Sequence, residues 1–271
     1  MSTPASARVL SERLMIEISS PDNPRYRRLM RLLASGRERR KSGLAVLDGV
    51  HLVAAYRTHC GPAPELVVTS AALEDPEIRR EADAAAATLV LADALFAALS
   101  TVVTPTGVLA IVPLPEGRVP GAEVGPCVVL EDVQDPGNLG SILRSAAAAG
   151  VPDVLLTAGC AQVWSPRVLR AGMGAHFALR LYENCALPAF FEVYRGRPVA
   201  TVREGARRLF AADLRGEVAL LFGNEGAGLS DALLARAAER VTIPMPGSAE
   251  SLNVAAAAAV CLFERVRQQG G

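Results

Sequence analysis

Aromatic residues are scarce in this chain, 4% of 271, and lysine is almost missing, since Lys41 is the only one. Net charge is missing as well: 28 basic and 28 acidic residues cancel. That balance argues against a surface that seeks polyanions as a whole, while leaving room for a local basic patch. The shortage of aromatics does not starve the core. The apolar fraction is 51%, carried mainly by Ala, Val and Leu, which is ample for one large domain or two small ones. No C-x-x-C pair occurs among Cys60, Cys127, Cys160, Cys185 and Cys261. Five scattered thiols fit a reducing compartment better than disulfides or zinc. His51, His59 and His176 stand at no ligand-like spacing, so no metal is expected. No N-terminal run of basic, apolar and small residues marks a secretory signal. The longest apolar stretch, 254–263, is too short to span a bilayer. These absences together read as a soluble, cytoplasmic protein.

What is present alternates between strand and helix patterns. Residues 1–13 are small and polar without a period and read as a frayed tail. Pro24 suits a first helical position, where its missing N–H costs nothing. Leu29, Leu32 and Leu33 then share one face of a helix whose other face is arginine-rich. The basic run Arg25, Arg28, Arg31, Arg37, Arg39, Arg40 and Lys41 is the densest positive stretch in a neutral chain. It reads either as a solvated helix face or as a set of phosphate contacts, each releasing counterions on binding. Strand and helix patterns continue to residue 112, and a Pro/Gly-rich stretch, 113–123, reads as a linker. The expected organisation is therefore an α/β domain over 14–112, the linker, and a second α/β domain over 124–268. In the second domain 127–130 is apolar throughout, as in a buried parallel strand. Further on, 177–181 reads as extended, 189–194 as helical, and 253–267 as a final helix.

Three stretches share one layout: a buried strand, a loop of Gly and small polar residues, then a helix. They are 128–150, 219–238 and 241–267. In the first, Asn138 and Arg144 sit in the opening turns of a helix, and Arg144 interrupts an otherwise small, apolar surface. A surface salt bridge would account for it equally well. In the second, Gly223-Asn224-Glu225-Gly226-Ala227-Gly228 is neither a Walker loop nor the dinucleotide fingerprint. A tight turn alone explains many such loops, but Glu225 has no packing role among glycines. In the third, Ser251 and Asn253 read as helix caps, with Ser251 the capping candidate. Ala255 to Ala259 give the helix behind them a slim start that permits close backbone approach.

Taken together the three are more specific than any one. Asn138-x-Gly140-x-x-x-Arg144, Leu221-Phe222-Gly223-Asn224-Glu225-Gly226-x-Gly228-Leu229-Ser230 and Ile243-Pro244-Met245-x-Gly247-x-x-x-Ser251-Leu252-Asn253 resemble, in order and spacing, the three signatures of the SpoU/TrmH family of RNA ribose 2′-O-methyltransferases. Asn23-Pro24, the basic helix and Thr104-Pro105-x-Gly107-Val108-Leu109-Ala110 are similar to the family's substrate-binding extension, except that Asp48-Gly49 stands where Glu-Gly is usual.

The resemblance implies a SPOUT-type parallel sheet with a deep trefoil knot, preceded by a small ribosomal-protein-like α/β domain. It implies S-adenosylmethionine as cofactor, a homodimer, and no membrane or metal partner. Carried over by motif, Gly223, Ile243 and Leu252 contact the cofactor, together with Thr201, Val202, Asn224, Gly228, Met245 and Ser251. Arg144, Asn138, Glu225, Ser251 and Asn253 are the catalytic positions, and the basic run binds RNA. A guanidinium does not readily lose its proton, so Arg144 is expected to stabilise the developing 2′-alkoxide electrostatically rather than act as a free base. Ribosomal RNA of the 23S type is favoured over transfer RNA, because the N-terminal extension is similar to that of the ribosomal members. A catalytically silent RNA-binding relative and a small-molecule methyltransferase are the other readings.

Overall fold

Strand-forming Val, Leu and Ile runs alternate with helices throughout the computed structural model, which describes residues 14–99 and 105–270. The expected N-terminal tail and Thr104 lie outside the described residues.

The first unit runs β1 (Leu14–Ile18), α1 (Pro24–Ala34), α2 (Gly36–Ser42), β2 (Leu44–Asp48), α3 (Val50–Cys60), β3 (Glu65–Thr69), α4 (Pro76–Ala84), β4 (Ala87–Leu91), α5 (Asp93–Leu99) and β5 (Val108–Pro113). Its sheet has the order β1-β4-β3-β5-β2, with β5 antiparallel to both neighbours. Strand side chains alternate between faces, and both faces are covered here. Ala45, Leu47, Leu66 and Val68 pack with Leu52, Val53 and Ile78 on one side. Val46, Val67, Leu89 and Leu109 pack with Tyr26, Leu29 and Phe96 on the other.

The second unit runs β6 (Cys127–Leu130), α6 (Pro136–Ala148), β7 (Asp153–Leu156), α7 (Pro166–Gly172), β8 (Arg180–Tyr182), α8 (Leu187–Val193), β9 (Arg197–Thr201), β10 (Arg207–Arg208), β11 (Val218–Phe222), α9 (Asp231–Arg236), β12 (Glu239–Thr242) and α10 (Val254–Gln268). Its seven strands, ordered β10-β12-β9-β11-β6-β7-β8, are all parallel. A wholly parallel sheet puts every strand's carboxyl end on one edge, where ligands of open α/β sheets sit.

One buried apolar cluster runs through both units, from Leu47 and Leu52 to Val128, Ile142 and Leu169. Polar ties cross the same boundary. The Arg170 guanidinium donates to Asp48 Oδ2 at 3.0 Å, and the rings of Tyr56 and Phe177 meet edge to face at 5.3 Å. The chain between β5 and β6 thus joins two units that pack directly on each other.

Several sequence expectations change. The basic run is two helices, because the Ser35 hydroxyl caps α2 by accepting from Glu38 N. Arg39 is buried rather than free for phosphate, at 5% exposure. Its guanidinium donates to the carbonyls of Leu32 (2.7 Å) and Leu33 (3.2 Å) and to Gln162 Oε1 (2.8 Å). It closes the end of α1 and ties α2 to the second unit. Residues 177–181 are not extended throughout. Gly174, at φ +88°, turns the chain into a short 3-10 turn, Ala175–Phe177, before β8. Strand β1 was not anticipated.

Candidate active site

Each of the three loops leaves the carboxyl end of a parallel strand: β6 for Asn138, β11 for the glycine loop, β12 for Ser251 and Asn253. Their convergence therefore follows from the sheet. With the end of β9 they enclose a cavity of about 560 Å³. All nine expected cofactor positions line it: Thr201, Val202, Gly223, Asn224, Gly228, Ile243, Met245, Ser251 and Leu252. Glu225 and Asn253 line it too, whereas Asn138 and Arg144 do not.

The glycine loop is a closed structure. Asn224 N donates to Gly228 O (3.1 Å) and Gly228 N to Asn224 O (2.9 Å). Inside that ring the Asn224 side chain accepts from Gly226 N and Ala227 N, while its Nδ2 donates to Asp132 O. Gly228 holds φ at +75°, a region that favours glycine. Glu131 fixes the loop's exit, accepting from both Ser230 N and Ser230 Oγ at 2.7 Å.

A directional amide relay links all three loops. Asn253 caps α10, its Oδ1 accepting from Ala255 N (2.9 Å) and Ala256 N (3.3 Å). Its Nδ2 donates to Asn138 Oδ1 at 2.8 Å. Asn138 Nδ2 donates in turn to Glu225 Oε1 at 3.0 Å. The orientation of both amides is dictated from the ends, because backbone N–H groups only donate and an ionised carboxylate only accepts. Burial would raise the Glu225 carboxyl pKa. The hydrogen bond from Asn138 and those from the Asp135 and Gln134 backbone outweigh it and hold the group below the usual carboxylate range.

The expected cap is thus corrected. Asn253, not Ser251, caps α10, and Ser251 is an exposed wall residue. Capping and relay are separable by substitution. Asn253→Asp keeps an acceptor for the helix N–H groups and removes the donor to Asn138. The expected outcome is a melting temperature within about 2 °C of wild type and catalysis slower by roughly tenfold or more. A parallel fall of both would reduce Asn253 to a cap.

Arg144 is exposed on α6 and makes no hydrogen bond or ion pair with a described residue. Among the expected RNA contacts, Arg31, Arg37, Arg40 and Lys41 are exposed, Arg25 and Arg28 half-buried, and Arg28 pairs with Glu65 at 3.5 Å. Among the described residues no group of three or more His, Cys, Asp or Glu could hold a metal ion, and no helix is long and apolar enough to cross a membrane. Sequence reading missed Glu131 and Arg203. Arg203 directly follows Thr201 and Val202, which were expected in the site at the end of β9, so its position was the available signal.

Comparison with known proteins gives a consistent set of matches. Residues 125–263 match the SpoU rRNA Methylase family, and residues 23–110 match the MRM3-like substrate binding domain. An uncharacterised tRNA/rRNA methyltransferase of Synechocystis is 34% identical, covering 93% of this chain and 94% of its own. The 23S rRNA (uridine(2479)-2′-O)-methyltransferase of Streptomyces viridochromogenes is 31% identical, covering 98% and 94%. Among solved structures, the SpoU methyltransferase AviRb from the same organism, in complex with AdoMet, superposes with a TM-score of 0.83 at 29% identity, covering 92% of this chain and 99% of that one.

Proposed function

The chain belongs to the SpoU rRNA methylase family and is an S-adenosylmethionine-dependent RNA methyltransferase, and we propose that it methylates one ribose 2′-hydroxyl of 23S-type ribosomal RNA in the cytoplasm. The observation that carries this reading is the cavity at the carboxyl edge of the sheet, whose three loops are tied together by the Asn253–Asn138–Glu225 relay.

The cavity suits the cofactor. Its glycine loop brings backbone to the wall, and its apolar walls include Phe222, Ile243 and Leu252. The bound cofactor supplies an electrophilic methyl group. The protein's task is to bring a poor nucleophile to it and to ease loss of the hydroxyl proton. Asn138 and Glu225 fix the loops against each other, and Ser251 and Asn253 form the wall toward the incoming ribose. The Arg144 guanidinium stabilises the oxygen as it gains negative charge.

Arg144 stands outside the cavity of its own chain, which supports a homodimer in which one protomer's arginine completes its partner's site. The outward Phe263 of α10, 49% exposed, supports an interface there. A C-terminal knot belongs to the same reading. The alanine-rich start of α10 permits the close approach that a threaded helix needs, and Asn253 ties it to α6. Residues 14–112 grip the RNA through Arg25, Arg28, Arg31, Arg37, Arg40 and Lys41. Residues 124–268 do the chemistry, and 113–123 connect the two.

Mapping 2′-O-methyl groups in ribosomal and transfer RNA, with and without the gene, tests the substrate. One ribosomal position is expected to lose its methyl group on deletion and regain it when the wild-type protein is restored. A loss confined to transfer RNA would move the assignment there, and an unchanged map would leave a catalytically silent RNA binder.

A further inference from the structure

Arg203 is the one cationic side chain among the residues lining the cavity, and it shares those walls with two carboxylates, Glu225 and Glu250. It sits just past the end of β9, where Thr242 Oγ1 donates to its carbonyl at 2.7 Å. From there its guanidinium reaches the glycine loop. One nitrogen, Nη2, donates to the carbonyls of Glu225 (3.1 Å) and Gly226 (3.3 Å). Nε and Nη1 have no partner among the described residues. A guanidinium holds five N–H donors in a rigid planar fork. One pinned through a single nitrogen keeps another edge free for an oxyanion.

S-adenosylmethionine carries two cationic centres, its sulfonium and its ammonium, and one carboxylate. Walls that offer two carboxylates and one guanidinium are the charge mirror of that ligand. Glu225 is already engaged by Asn138, Asp135 and Gln134, whereas Glu250 is exposed at the rim. We infer that Arg203 recognises the carboxylate of the cofactor's amino-acid moiety while its other edge holds the glycine loop in place. The inference rests on the assignment of this cavity to the cofactor. It makes Arg203 a binding residue for one functional group of the ligand, with no part in the proton chemistry.

Isothermal titration of the intact protein with S-adenosylmethionine and with its decarboxylated analogue isolates that group, because the two ligands differ only in the carboxylate. Wild type is expected to prefer the carboxylated ligand by roughly tenfold or more, the scale of one charge-assisted pair. Arg203→Gln is expected to bring the two within about threefold of each other, by weakening the carboxylated ligand alone. Arg203→Lys keeps the charge without the fork and is expected to lie between. A variant that weakens both ligands equally would make Arg203 a loop clasp only and overturn the inference. So would an Arg203→Gln protein that keeps the wild-type preference. Wild-type protein that binds neither ligand would overturn the cofactor assignment, and this inference with it.

Discussion

Arg144→Ala is expected to slow methyl transfer by about a hundred- to a thousandfold, the usual cost of removing one preorganised electrostatic donor. Affinity for S-adenosylmethionine is expected to stay within about twofold of wild type. The split follows from where the side chain stands. It projects from an interior position of α6 into solvent, while Ile142, Leu143 and Ala146 beside it are buried. It is not among the residues lining the cavity and holds no described residue in place. Alanine is the best helix former, so α6 survives the change. Single-turnover methylation with labelled cofactor reads the rate, and titration reads the affinity. A variant with wild-type rate would remove Arg144 from the chemistry.

Gly223→Ala is expected to weaken cofactor binding by more than about a hundredfold, because the substitution cannot be made without moving backbone. A methyl group at 223 would lie 2.2 Å from Gly228 C, 2.3 Å from its carbonyl oxygen and 2.4 Å from Leu229 N. None of these is the end of a flexible side chain, and relief requires opening the Asn224–Gly228 ring that shapes the wall. Gly247→Ala is the matched control. It lies in the neighbouring loop, and an added carbon there meets nothing within 4 Å. Its affinity is expected to stay within about twofold. Equal losses in the two variants would mean that loop flexibility, rather than the closed turn, sets the affinity.

How much of this was legible depended on how local the cause was. The three strand–loop–helix stretches could be read because each carries its own punctuation: an apolar run, Gly or Pro, then a cap. Their meeting at one edge followed once the sheet was taken to be parallel. Arg39 was not legible. Its neighbours are arginines, and what withdraws it from solvent is Gln162, 123 residues away in sequence. The choice of Asn253 over Ser251 as cap was also out of reach, since both residue types cap and only the helix start decides. Glu225 was singled out because a carboxylate among glycines has nothing to pack against. Arg203 carried no such contrast in a chain where arginine is the common cation.

The apolar cluster shared by the two units sets a condition on the substrate. Among the described residues, Arg39 ties α2 to Gln162 of the second unit, beside the cluster that spans both, so the span between the exposed arginines and the edge where the cavity opens is set by packing. On the proposed function the enzyme would then act as a ruler. With the RNA contacts proposed for α1 and α2, an RNA would be selected by whether its target ribose falls at that span from the phosphates it offers there, and one that does not would itself have to bend or unpair. Discrimination would rest on the folded shape of the RNA as much as on the base beside the methylated sugar.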